Sequence, residues 1–143
     1  MAKTAAGFTL IELMIAVAIV AIAMSFAAAS YRGYVRRSER IEAVQALLAA
    51  AAEQEKFHLA HGRYSDRLDA HPGAAPPGLP VASLTPRGRY RLVVADADVI
   101  AYRLDATLVE VHADTHCARF TIDESGRRAA QDSAGRDSTA RCW

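Results

Sequence analysis

The sequence predicts an α+β fold, in which one long N-terminal helix packs on a small antiparallel β-sheet. Three observations carry this. Between Phe8 and His61 nothing stops a helix except Gly33, and a glycine in a helix interior costs only about 1 kcal/mol relative to alanine. All five prolines then fall in a single stretch from Pro72 to Pro86, which divides the molecule. Beyond Pro86 the apolar period drops from 3.6 residues to 2, which signals strands rather than helix. At 143 residues there is room for one domain beyond the helix. A net charge of +1 gives no global bias toward nucleic acid or acidic substrates.

The helix begins with its most informative segment. Phe8 to Ala29 is a run in which Glu12 is the only ionisable residue, and roughly 20 apolar residues suffice to span a bilayer. A carboxylate inside such a run costs about 2.5–3.5 kcal/mol on insertion scales, so it calls for a partner. A cut between Gly7 and Phe8 would create one, an α-amino group one helical turn from Glu12 or from the Glu12 of a neighbouring copy. A conventional signal peptide cut after Ala27-Ala28-Ala29 leaves Glu12 unexplained, and so does a plain single-span anchor.

The second half of the helix, Arg36 to Leu59, is rich in Ala, Glu, Gln and Leu. Ile41, Val44, Leu48 and Ala51 recur at helical spacing, so this face is expected to pack on the core. Gly62 is a natural C-terminal stop. After the prolines, Tyr90, Leu92 and Val94 alternate, as do Tyr102, Leu104, Ala106 and Leu108. With Asp96-Ala97-Asp98 as the turn, residues 89–109 read as an antiparallel hairpin. Cys117 to Asp123 reads as a third strand, its Phe120 and Ile122 facing Ile41, Val44 and Leu48. Glu124-Ser125-Gly126 then turns, and the polar stretch from Arg127 to Ala140 reads as a surface loop.

Gly7-Phe8-Thr9-Leu10-Ile11-Glu12, followed by an uninterrupted apolar helix, resembles the class III signal of type IV prepilins and pseudopilins. The resemblance implies cleavage after Gly7 by a membrane-embedded prepilin peptidase, N-methylation of Phe8, and retention of the apolar helix in the mature protein. Residues 1–7 would then be a leader, 8–31 a transmembrane and assembly helix, and 32–143 a periplasmic or pilus globular domain. Lys3 would lie on the cytoplasmic side, as the positive-inside rule prefers. Ser30-Tyr31-Arg32-Gly33-Tyr34-Val35, Gln45-Ala46-Leu47-Leu48, Gly126-Arg127 and Cys142-Trp143 are similar to the PilE-like minor pilins. That likeness implies a subunit of a type IV pilus, serving adhesion or twitching motility. Its partners would be the prepilin peptidase, other pilins and the inner-membrane assembly platform. A type II secretion pseudopilin and a pilus-displayed DNA-uptake receptor are the alternatives. One position departs from the group, where a proline usually precedes Ser-Tyr; here it is Ala29, which favours an unbroken helix.

Cys117 and Cys142 are the only cysteines. An export signal with an even cysteine count implies an oxidising compartment and a disulfide. Closing a loop of about 26 residues would contribute roughly 3.5 kcal/mol.

Several other signals point to no chemistry. His58 and His61 share a helix face, but two ligands do not make a metal site. His112, Asp114 and His116 beside an oxidised Cys117 read as a surface cluster. Asp132 to Asp137 lacks the order of a calcium loop. Arginines 87, 89 and 91, and 127, 128, 136 and 141, could form a DNA stripe, but Asp123, Glu124, Asp132 and Asp137 interleave with the second group. With no nucleophile–base pair, phosphate loop or zinc motif, the chain reads as a non-enzyme without cofactor or metal.

Overall fold

A computed structural model describes residues 8–68, 78–110 and 114–143, with the side chains of residues 26–30 outside the described set. Gly7, Lys3 and the rest of the expected leader lie outside the described residues, as do Pro72, Pro76, Pro77 and His112. The chain divides into two compact units, Met1–Arg36 and Arg37–Trp143.

Helix α1 runs from Leu10 to His61. It starts where Thr9 caps it, the Glu12 N–H donating to Thr9 Oγ1 at 3.3 Å and the Leu13 N–H to the Thr9 carbonyl at 3.2 Å. A threonine with a glutamate three residues on is a sequence-level cap signal. The backbone stays helical through Ala21 to Tyr31, as the alanines at that junction favour. The helix ends at Gly62, which takes φ +69° and donates its N–H to the His58 carbonyl at 2.8 Å. Only glycine adopts that conformation without strain. Among the described residues no helix is long and apolar enough to cross a membrane.

The second unit holds a four-stranded antiparallel sheet in the order β1-β2-β3-β4. Its strands are β1 (Tyr90–Ala97), β2 (Tyr102–Leu108), β3 (Arg119–Asp123) and β4 (Arg128–Gln131), followed by the short helix α2 (Thr139–Cys142). Three sequence expectations need correction here. The hairpin turn is Asp98 to Ala101, not Asp96 to Asp98, because the Asp98 carboxylate accepts the N–H groups of Ile100 and Ala101 at 2.7 Å each. A bulge between Val94 and Asp96 carries β1 past the point where its alternation fades. Part of the expected loop from Arg127 is strand: β4 pairs with β3 from Ile122↔Arg128 to Arg119↔Gln131. It buries only Ala130, so it carries no apolar pattern to read.

The third correction concerns the helix. Its buried positions are Glu39, Ala43, Leu47, Ala50 and Gln54, whereas Ile41 is 50% exposed and Leu48 39%. The stripe is offset by about one residue from the one expected. Ala43 and Ala50 are small enough to leave room for the large side chains of the sheet, where Tyr90 and Phe120 are fully buried in the same cluster. Phe120 and Ile122 are in the core as expected, packed in one cluster with Ala43, Leu47 and Ala50 rather than facing Ile41 and Leu48. Gln54 fixes the exit from the helix, donating to the Ser65 carbonyl and accepting its N–H, both at 2.8 Å.

Candidate functional site

At the N-terminal end the chemistry rests on Phe8 and Glu12. From Phe8 to Met24 every large apolar side chain is at least half exposed, Phe8 itself by 84%. Apolar surface of that extent is stable only against lipid or other apolar surface. The Glu12 backbone is engaged by the Thr9 cap, but its carboxylate has no partner among the described residues. A negative charge in a first helical turn is favoured by the helix dipole, by a fraction of a kcal/mol, far less than desolvation would cost.

The C-terminal end is held by two ties. Cys117 and Cys142 form a disulfide, with Cα atoms 5.8 Å apart. The second tie had no sequence signal. Arg40 on α1 grips Asp114 in a bidentate pair, Nε to Oδ2 at 2.5 Å and Nη2 to Oδ1 at 2.9 Å. Asp114 is 5% exposed and also accepts the His116 N–H at 3.2 Å. Burial opposes its ionisation, but the hydrogen bonds and charge of Arg40 prevail and hold the carboxyl below its usual range. Tyr90 donates to the Cys117 carbonyl at 2.9 Å, and burial, then the Asp114 charge, pushes its phenol well above the ordinary tyrosine value. The segment that starts the bridged loop is thus tied to α1 by Arg40 and to β1 by Tyr90.

Among the described residues the candidate metal ligands do not converge. His58 Nε2 meets the Val99 carbonyl at 3.0 Å while its ring stacks on Tyr64, and His61 Nδ1 meets the Phe57 carbonyl at 3.0 Å. The Asp114 carboxylate is taken by Arg40. That of Asp132 accepts two backbone N–H groups and the Arg136 guanidinium, closing the loop on itself.

Most arginines of the stripe that the sequence discounted lie beside acids. Arg87 pairs with Glu42 at 3.3 Å, and Arg89 with Glu39 at 3.2 Å and Glu110 at 3.0 Å. These fasten the sheet edge to α1. Arg127 and Arg136 lie beside Asp123 and Asp132, and Arg128 sits over the Trp143 ring, 5.3 Å from its centre. Sequence reasoning passed over Arg37. It lines a groove of about 580 Å³ with Arg40, Ile41, Val44, Arg141 and Trp143. Among the described residues neither Arg37 nor Arg141 has a carboxylate at ion-pair distance. Arg141 instead faces His116, Nη1 to Nδ1 at 3.4 Å. The i, i+3, i+4, i+7 spacing of 37, 40, 41 and 44 was the signal that could have found this face.

Comparison with known proteins adds the family. The family described as type IV minor pilin ComP, DNA uptake sequence receptor, matches residues 29–121. The prokaryotic N-terminal methylation motif matches residues 2–28. The type IV major pilin protein PilE1 of Neisseria gonorrhoeae is 35% identical over 71 residues, which is 50% of this chain and 43% of that protein. The fimbrial protein of Dichelobacter nodosus is 34% identical over 103 residues, 70% of this chain and 58% of its own length. The chain therefore spans about half the length of the curated relatives it matches.

Proposed function

The chain belongs to the type IV minor pilin ComP family, and we propose that it matures by prepilin-peptidase cleavage between Gly7 and Phe8 and then assembles into a type IV pilus. The observation that carries this is the exposed apolar run from Phe8 to Met24 with one carboxylate, Glu12, that has no partner among the described residues. The methylation motif matching residues 2–28 supports it. Before assembly the segment 8–31 anchors the subunit in the inner membrane, with Lys3 on the cytoplasmic side. Peptidase cleavage frees the Phe8 amine, which is then N-methylated and stays cationic. In a filament core of low dielectric, Glu12 pairs with that ammonium on an adjacent subunit. Slipping by one turn would leave two buried charges unpaired, so the pair also sets axial register. The subunit acts as a structural part, and the chemistry is done to it by the peptidase.

Detection of the protein in shear-purified pili, and its loss from them in cells lacking the peptidase, tests this reading. Recovery only from the membrane fraction, whatever the peptidase status, would refute it.

A second reading, capture of DNA by the displayed domain, is favoured by two observations. The matching family carries the description of a DNA uptake sequence receptor, and Arg37 and Arg141 line one groove with no carboxylate to neutralise them among the described residues. Binding of short duplex DNA with a steep salt dependence supports it. No binding at low salt refutes it.

A further inference from the structure

We propose that the turns of α1 just beyond the apolar run bind the headgroups of anionic phospholipids, with Arg32 and Arg36 on their phosphates and Tyr31 and Tyr34 at the hydrocarbon boundary; this rests on the reading of residues 8–31 as a membrane anchor.

Length places these residues. Phe8 to Ala29, rising 1.5 Å per residue, makes a helix about 33 Å long, and the hydrocarbon core of a bilayer is about 30 Å thick. Ser25 inside that run donates its hydroxyl to the Ile22 carbonyl at 2.7 Å, so it needs no water. Tyr31, Arg32, Tyr34 and Arg36 then fall about 3 to 10 Å past the run, at the level of the headgroups. Helical side chains lean toward the helix N-terminus, which here carries both guanidinium groups back toward the membrane.

Exposure and charge name the partner. Tyr31 is 67% exposed and Tyr34 71%, and Arg32 and Arg36 are exposed as well. Aromatic rings with a polar tip are favoured at this depth of a bilayer. From Leu13 to Ser38 the chain carries no acid, and Glu39, the next one, pairs with Arg89. Among the described residues Arg36 has no carboxylate at ion-pair distance. A guanidinium beside phosphodiesters makes two-pronged, charge-assisted hydrogen bonds that an ammonium does not, and a net negative surface adds attraction. The two pairs also point different ways. Arg32 and Arg36, four apart, share one side of α1, while Tyr31 and Tyr34, three apart, share roughly the opposite side. A protein docking on one side would meet one pair, whereas a bilayer surrounds the helix and meets both.

The test reconstitutes the full chain in phosphatidylcholine vesicles with a trace of spin-labelled phosphatidylglycerol or spin-labelled phosphatidylcholine. Electron paramagnetic resonance then reads the motionally restricted fraction of each label. Wild type should restrict the anionic label more than the zwitterionic one, and the preference should shrink as salt rises. Each arginine near an anionic surface favours it about fivefold, so Arg32→Gln with Arg36→Gln should cut the preference by about fivefold or more. The double lysine variant should keep most of it, and Arg91→Gln on β1 should match wild type. Unchanged helical circular dichroism in the double glutamine variant attributes the loss to charge. If wild type resists alkaline carbonate extraction but shows no preference, or the double glutamine variant keeps it, the headgroup site is overturned while the anchor stands. If carbonate strips wild type from the vesicles, the anchor reading fails and this proposal with it. If the double glutamine variant keeps the preference yet is missing from sheared pili, the arginines meet an acidic face of a neighbouring subunit, which also overturns the proposal.

Discussion

Removing the Asp114 carboxylate probes the tie that the sequence did not disclose. In Asp114→Ala the Arg40 guanidinium, 21% exposed, loses both of its short hydrogen bonds. The His116 N–H loses its acceptor as well. Breaking a buried pair from one side costs about 3–5 kcal/mol, and the residual exposure of Arg40 lets it turn partly to water, so the lower end, about 3 kcal/mol, applies. For a domain of about 100 residues each kcal/mol moves the thermal midpoint by roughly 4 °C or more, so the variant should melt about 12 °C or more below wild type. Circular dichroism on the detergent-solubilised chain measures this. The pH dependence has a definite sign. A carboxyl whose folded value is depressed stabilises above its unfolded value, near 3.9, and that stability drains away as pH falls through the folded value. Wild type should therefore lose stability below about pH 4 along a limb that Asp114→Asn lacks. A midpoint within about 3 °C of wild type, or identical acid limbs in the two proteins, would refute this reasoning.

Three further outcomes follow from the same geometry. Glu12→Ala should still be cleaved and methylated but be depleted in shear-purified pili, as an immunoblot against the membrane fraction would read. Cys117→Ser should lose about 3.5 kcal/mol, seen as a lower urea midpoint, and non-reducing mass spectrometry of wild type should find no free thiol. Gln54→Leu leaves the Ser65 N–H and carbonyl, both bonded to that side chain, without partners. At about 1–3 kcal/mol for each buried unpaired group, a loss of about 3 kcal/mol is expected by urea denaturation.

Much of the fold was legible because its signals are local. The helix end at Gly62 needs only a residue that accepts positive φ. Leu104, Ala106 and Leu108, and Phe120 and Ile122, are buried as their alternation implies, although in β2 Asp105 on the other face is buried too. What was illegible depends on partners far away in sequence. β4 is strand because β3 offers it hydrogen bonds, and Arg128-Ala129-Ala130-Gln131 has no pattern of its own. The buried helix face carries the small residues Ala43 and Ala50, which leave room for Tyr90 and Phe120, while the larger Ile41 and Leu48 stay exposed. Among the candidate site residues, Glu12 stood out as the lone charge in an apolar run. The Arg40–Asp114 pair spans a sequence separation of 74 and could not be seen without the fold. The pairing of Arg89 and Arg87 with Glu39 and Glu42 on the helix was likewise invisible, although the sequence had already discounted an arginine stripe for its interleaved acids.

The most direct test is the N-terminus of the protein recovered from sheared filaments. Tandem mass spectrometry of the N-terminal peptide should find a chain that begins at Phe8 and carries one added methyl group on its amine. A chain that begins at Met1, or at Ser30 after a conventional signal-peptide cut, would contradict maturation as a pilin.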